Sequence, residues 1–167
     1  MGFFNRFSQA SLAKQFSNTQ PTASFAPTQL QVPPDLDMPD LNLKQVLDAH
    51  RDWKVRLQDV LEGTSDERFD IETVSQDCHC FLGKWIYSKG KKQFGHMPEY
   101  EAVRQAHADF HQAAGQVLTE HFLGDSTTAQ IILKTKFRTA SHRNQIELTR
   151  LFSTAKATHH QLVAAEA

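Results

Sequence analysis

Proline is distributed so unevenly that it divides the chain in two. Five of the six prolines (Pro21, Pro27, Pro33, Pro34 and Pro39) fall in the first 40 residues, and one, Pro98, stands in the rest. Proline fixes φ and removes a backbone donor, so the first stretch cannot hold a long helix, whereas the remainder is free to. That stretch is also rich in Ser, Thr and Gln and short of charge, and residues 1–40 read as a flexible, disordered leader. Within it Phe3, Phe4, Phe7, Leu12 and Phe16 are loosely spaced as on a helix, beside Arg6 and Lys14. A short helix making weak contact with a membrane surface or a partner is the alternative reading of that end.

From residue 41 a helical period appears. Leu43, Val46, Leu47, His50, Trp53, Leu57, Val60 and Leu61 make one stripe of a first helix over about 41–62, stopped by Gly63. A less regular stretch reaches about residue 76, and Asp77 is placed to cap a second, shorter helix that runs to Gly90 and includes Cys80, Leu82, Trp85 and Ile86. Residues 90–97 read as a polar loop. Pro98 suits the first turn of a third helix over about 98–122, with Tyr100, Val103, His107, Phe110, His111, Ala114, Val117, Leu118 and His121 on its stripe and Gly124 at its end. Thr127 and Gln130 have capping-box spacing for a fourth helix to about residue 157, through Ile131, Ile132, Phe137, Ile146, Leu148, Leu151 and Phe152, followed by a fraying tail over 158–167. Four helices with one apolar face each, short connections and no strand alternation predict an all-α, antiparallel four-helix bundle over 41–157.

Charge removes several classes of function. The 167 residues carry a formal charge of -1, and beyond the leader basic and acidic residues are equal in number, so no nucleic-acid partner is expected. Lys89, Lys91 and Lys92 are too few to alter that and read as a solvated turn. The apolar runs fall far short of the roughly 20 residues a membrane-spanning helix needs. The first ten residues lack the apolar core of a secretory signal, so the expected location is cytoplasmic. The two cysteines, Cys78 and Cys80, sit one residue apart, where a mutual bridge would close no useful loop, and read as thiols available for metal or redox chemistry.

Three of the nine histidines lie in the middle of the apolar stripes: His50, His107 and His111. His107 and His111 are four apart on one helix, so both rings leave the same face about one turn apart. Burying three imidazoles in one bundle is unfavourable unless each finds a partner, and a shared cation satisfies all of them together. Cys80, near the start of the second helix, supplies a fourth ligand. There the free backbone N–H groups should lower its pKa and favour the thiolate. Three imidazoles and one thiolate form a closed tetrahedral set suited to Zn2+, and a closed set points to structure or sensing rather than catalysis. Trp53 and Trp85 are expected to pack around this site as apolar cover.

The blocks DAHRDWKVRL (residues 48–57), CFLGKWI (residues 80–86) and HADFH (residues 107–111) together resemble the chemoreceptor zinc-binding (CZB) domain. That family is a four-helix bundle of bacterial soluble chemoreceptors and some diguanylate cyclases, in which a His, a Cys and a His-x-x-x-His pair hold one zinc. Its first His falls on His50, followed by Trp53. Its Cys-x-x-Gly-[Lys/Arg]-Trp element falls on Cys80, Gly83, Lys84 and Trp85, and its His pair on His107 and His111. The resemblance spans about residues 41–155. It implies a zinc-binding sensory module of chemotaxis or cyclic-di-GMP signalling that responds to zinc or to oxidation of Cys80 by oxidants such as hypochlorous acid, that forms a homodimer, and that has a chemoreceptor or cyclase as its partner. Cys78, beside His79, is not part of the family pattern and reads as a bystander, a competitor for the metal or a resolving thiol. No Gly-Gly-Asp-Glu-Phe cyclase signature is present, so a stand-alone module is expected.

Other readings have recognisable requirements. A hemerythrin-like iron bundle needs more histidines and bridging carboxylates, and the stripes here hold few acids. His107 is followed by Ala108 rather than the Glu of H-E-x-x-H, which argues against a zinc hydrolase, and neither G-x-S-x-G nor G-x-x-x-x-G-K-[ST] occurs, so no enzyme activity is expected. A metal-free helical adaptor, its histidines bonded within the core, is the remaining alternative.

Overall fold

A computed structural model describes residues 37–38 and 41–165 of the chain, with side chains over 41–158. Apart from residues 37–38, the leader lies outside the described residues, and so does any helix carrying Phe3 to Phe16. The first element is a short antiparallel ladder, β1 (Asp37–Met38) against β2 (Leu41–Asn42), in which Met38 pairs with Leu41. Asn42 then caps α1 (Leu43–Leu61), its side chain accepting from the Gln45 N–H at 2.9 Å. The helix ends at Glu62 and Gly63, where φ of 69° requires a glycine.

Between residues 70 and 97 the chain is more helical than its sequence suggests. Asp70 caps α2 (Ile71–Ser75), a single turn that buries Val74, in what the sequence marks as irregular. The second helix is capped three residues later than expected: Cys80, not Asp77, caps α3 (Phe81–Trp85), and Asp77 instead accepts from the Tyr87 hydroxyl at 2.6 Å. Residues 90–97 are not simply a loop. A wide turn at Ile86–Gly90 carries α3 into α4 (Lys91–Phe94), which buries Phe94. Gly90 does not stop the helix, because its use is close packing: a Cβ there would lie 2.8 Å from the Trp85 ring.

The last two legs are long. Pro98 opens α5 (Pro98–Phe122), with Glu99 and Glu101 in the first turn where the helix dipole favours them, and Gly124, at φ 87°, follows its end. The cap of α6 (Ser126–Ile132) is Asp125, two residues before Thr127, and it accepts from the Thr128 N–H at 2.9 Å. A second wide turn, Leu133–Phe137, leads into α7 (Arg138–Ala165), which continues past the expected end near residue 157. Ile131 and Ile146, assigned to the stripe by spacing, are 56% and 46% exposed.

The buried residues fall into two clusters. An upper one joins Val46, Leu82, Trp85, Ile86, Phe94, Tyr100, Val103, Leu148 and Leu151. A lower one joins Leu57, Val74, Phe110, Val117, Ile132, Leu133, Phe137 and Ala140. Following the chain through them gives its topology: α1 and α5 run from upper to lower, whereas α2 to α4 and α6 to α7 run from lower to upper. The result is an antiparallel four-legged helical bundle, as the sequence predicts. Arg143 bonded to Asp109 at 2.8 Å ties α7 to α5 across the surface. No helix among the described residues is long and apolar enough to cross a membrane.

Candidate metal centre

The two apolar clusters are separated by a polar layer. The buried polar residues among those described are His50, His107, His111, Ser141 and Asn144. His50 stands between Val46 of the upper cluster and Leu57 of the lower, and His107 between Val103 and Phe110. His50 and His107 therefore meet between the two clusters, and His111 follows one turn lower on α5, its ring 4.7 Å from that of His107.

Cys80 reaches this layer from α3. Its Sγ lies 3.3 Å from Nε2 of His107, and as the helix cap it accepts from the Gly83 N–H at 3.2 Å. Gly83 is required here because a Cβ would lie 1.7 Å from the Asp77 carbonyl oxygen. That same oxygen is 3.2 Å from Nε2 of His107. On the lower side α2 rests on α5 at Gly115, where a Cβ would lie 2.0 Å from the Ser75 hydroxyl. This close approach brings the Val74 carbonyl to 2.7 Å from Nδ1 of His111.

Donor atoms of Cys80, His107 and His111 all lie within 4.8 Å of one another. The rings of His107 and His111 are 4.7 Å apart at an interplanar angle of 78°. His50 stands next to this trio, 5.6 Å from the His107 ring and 4.7 Å from Phe110, with Nδ1 2.7 Å from the Val46 carbonyl. A carbonyl only accepts, so His50 and His111 carry their protons on Nδ1 and keep the Nε2 lone pairs. A sulfur and imidazole nitrogens, with no buried Asp or Glu among the described residues, make a donor set that fits zinc rather than a harder cation.

Electrostatics hold the rings neutral. Burial pushes His50 down to about 4, against the opposing Val46 bond, with a further contribution from His111. His107 is pushed well below the usual imidazole range by burial and then by its two histidine neighbours. Burial also lowers His111, with the Val74 bond acting against it. Cys80 departs from the sequence expectation: loss of water raises its pKa, outweighing the N–H groups of Gly83 and Leu82 that favour the thiolate. A nearby cation would have to supply what the helix start does not.

A pH dependence follows for the metal-free chain. All three folded-state pKa values lie below the unfolded value of about 6.5, so the unfolded chain takes up the extra protons as pH falls. Stability is full above about pH 6.5 and declines below it, by on the order of 1 kcal/mol per pH unit for each ring, continuing for His50 toward about pH 4. Urea midpoints measured with chelator from neutral to mildly acid pH check this. A flat profile would mean the rings are not buried neutral.

Of the other expected contributors, Trp85 lies beside the site and the rest stand away from it. Cys78 is exposed, and His79 bonds to the Gln76 side chain at 2.7 Å. Trp85 packs in the upper cluster against Phe94, close to Cys80, whereas Trp53 lies against Phe69 under the Arg56 guanidinium, 4.5 Å from its ring centroid. The features missed in the sequence are backbone groups, the carbonyls of Val74 and Asp77, together with Asn144. Backbone carbonyls leave no residue signature, although the Gly83 position of the Cys-x-x-Gly element was a pointer to one of them.

No curated protein and no solved structure matches the chain. Residues 50–118, which carry His50, Cys80, His107 and His111, match the family model of the chemoreceptor zinc-binding domain, the family whose motifs the sequence resembles.

Proposed function

We propose that this chain is a zinc-binding sensory module, in which His50, Cys80, His107 and His111 hold one Zn2+ and no substrate is turned over. The observation that carries this reading is the convergence of Cys80, His107 and His111 donor atoms within 4.8 Å in a buried layer. Zinc there would pair the buried imidazoles and hold the sulfur as thiolate. His50 and His111 present preset Nε2 lone pairs, and the apolar clusters on either side exclude water.

Cys80 gives the module its response. Its thiolate is the one oxidisable donor in the set. Attack on peroxide or hypochlorous acid leaves a sulfenic acid and releases water or chloride, weakening that donor. Loss of zinc and oxidation of Cys80 thus both free α3 from the His107 side of the layer. Output passes to a signalling partner of the chemoreceptor or cyclase type, the working form is a homodimer, and the setting is cytoplasmic. An iron centre of the hemerythrin kind is disfavoured, because no carboxylate is buried among the described residues.

Elemental analysis of the full chain tests the ligand set. Wild type is expected to hold one zinc per chain, and each of Cys80→Ala, His50→Ala, His107→Ala and His111→Ala to lose most of it at limiting zinc. Unchanged tight zinc in Cys80→Ala would remove the sulfur from the site, and unchanged zinc in His50→Ala would reduce the set to three.

A further inference from the structure

Asn144 is fully buried, yet neither the oxygen nor the nitrogen of its side chain has a hydrogen-bond partner. An amide removed from water without bonds is costly, so such a residue calls for an explanation. Asn144 lies on α7 between Ala140 of the lower cluster and Leu148 of the upper, at the level of the polar layer. His107 occupies the same level on α5, which packs along α7, and its Nδ1 is likewise buried and unpartnered.

The three rings differ in how the backbone treats them. In His50 and His111 it is Nδ1 that faces a carbonyl, so the proton sits on Nδ1 and Nε2 is free to donate electrons. In His107 the carbonyl, that of Asp77, faces Nε2 at 3.2 Å. That contact favours the proton on Nε2, which would point an N–H, not a lone pair, at Cys80. Metal binding needs the opposite tautomer, and an acceptor for Nδ1–H selects it.

We propose that Asn144 is a positioning residue of the metal centre: its side-chain oxygen accepts from the Nδ1–H of His107, directly or through one water, and keeps the Nε2 lone pair facing Cys80. The fourth leg of the bundle, which supplies no ligand, thereby takes part in the site. This inference rests on the zinc reading above for its affinity arm, but not for its tautomer arm.

The experiment uses the full chain as wild type, Asn144→Ala, Asn144→Leu and Asn144→Asp. Nitrogen-15 spectra of the imidazoles in zinc-free protein are expected to show the His107 proton on Nδ1 in wild type and on Nε2 in Asn144→Ala, with His50 and His111 unchanged. Chelator competition with zinc alone is expected to give a Kd about 10- to 100-fold weaker for Asn144→Ala. Asn144→Leu, which fills the space without an acceptor, keeps the assay open if the alanine variant folds poorly, and shows the same two changes. Asn144→Asp, which retains an acceptor, restores both. An unchanged His107 tautomer with an unchanged Kd overturns the proposal, as does a shift of all three rings together, the sign of general loosening. Absence of zinc from wild type would defeat the zinc reading, while the tautomer comparison would still decide the role of Asn144.

Discussion

Gly83→Ala is expected to abolish tight zinc binding and to destabilise the chain by about 3 kcal/mol. The added Cβ would lie 1.7 Å from the Asp77 oxygen, 2.8 Å from its carbonyl carbon and 3.0 Å from the Cys78 Cα. All three are backbone atoms, so no side-chain rotation relieves the clash. The segment that must move carries Cys80, whose sulfur is bonded to the N–H of the same glycine, and the carbonyl that faces His107. One methyl group therefore acts on fold and site together. Urea denaturation and zinc content measure the two effects. A variant with wild-type values for both would mean that the Asp77 turn does not close onto α3 as described.

The second large effect is that of removing the metal. With free zinc about 1,000-fold above Kd, binding adds about 4 kcal/mol to stability. For a domain of this size that corresponds to a thermal midpoint roughly 10–20 °C higher with zinc than with chelator. The difference should be much smaller in Cys80→Ala, which separates binding at the site from nonspecific effects of the ion. Scanning calorimetry with zinc and with excess chelator provides the measurement. A midpoint indifferent to chelator would favour the metal-free adaptor, with the histidines serving only as core residues.

The long-range architecture was legible because two of the four legs keep a clean apolar period beside strong punctuation: Gly63 after α1, and Pro98 and Gly124 around α5. The errors cluster where that period is disturbed. Each wide turn, at Ile86–Gly90 and at Leu133–Phe137, shifts the helical phase, so a stripe extrapolated across it picks wrong members. Ile131 and Ile146 are exposed because their neighbours Ile132 and Leu148, one and two residues on, hold the buried face. Gly90 was read as a stop because a glycine that admits an indole ring and a glycine that ends a helix look alike in one sequence.

The candidate site was legible to the extent that its members violate the pattern around them. Imidazoles inside apolar stripes stood out, and the structure brings His107 and His111 together with Cys80, with His50 alongside. The sign of the Cys80 pKa was not legible. It depends on how much water the thiol loses, and burial is a tertiary quantity. Asn144 went unnoticed because an Asn on a long polar helix is ordinary until neighbouring helices close over it.

The imidazoles stand on α1 and α5, whereas the sulfur and the carbonyls of Val74 and Asp77 all come from one short run, residues 70–83. Its regular pieces are single turns, held to the bundle by Val74 and Leu82 in the core and by the close approach of Ser75 to Gly115. Any displacement of this run would carry the sulfur and both carbonyls away from the rings together, because one stretch of chain holds all three. The hydrogen-bond partners of His107 and His111 thus hang on one short segment, and the two long helices that carry these imidazoles or back them, α5 and α7, are joined independently of it.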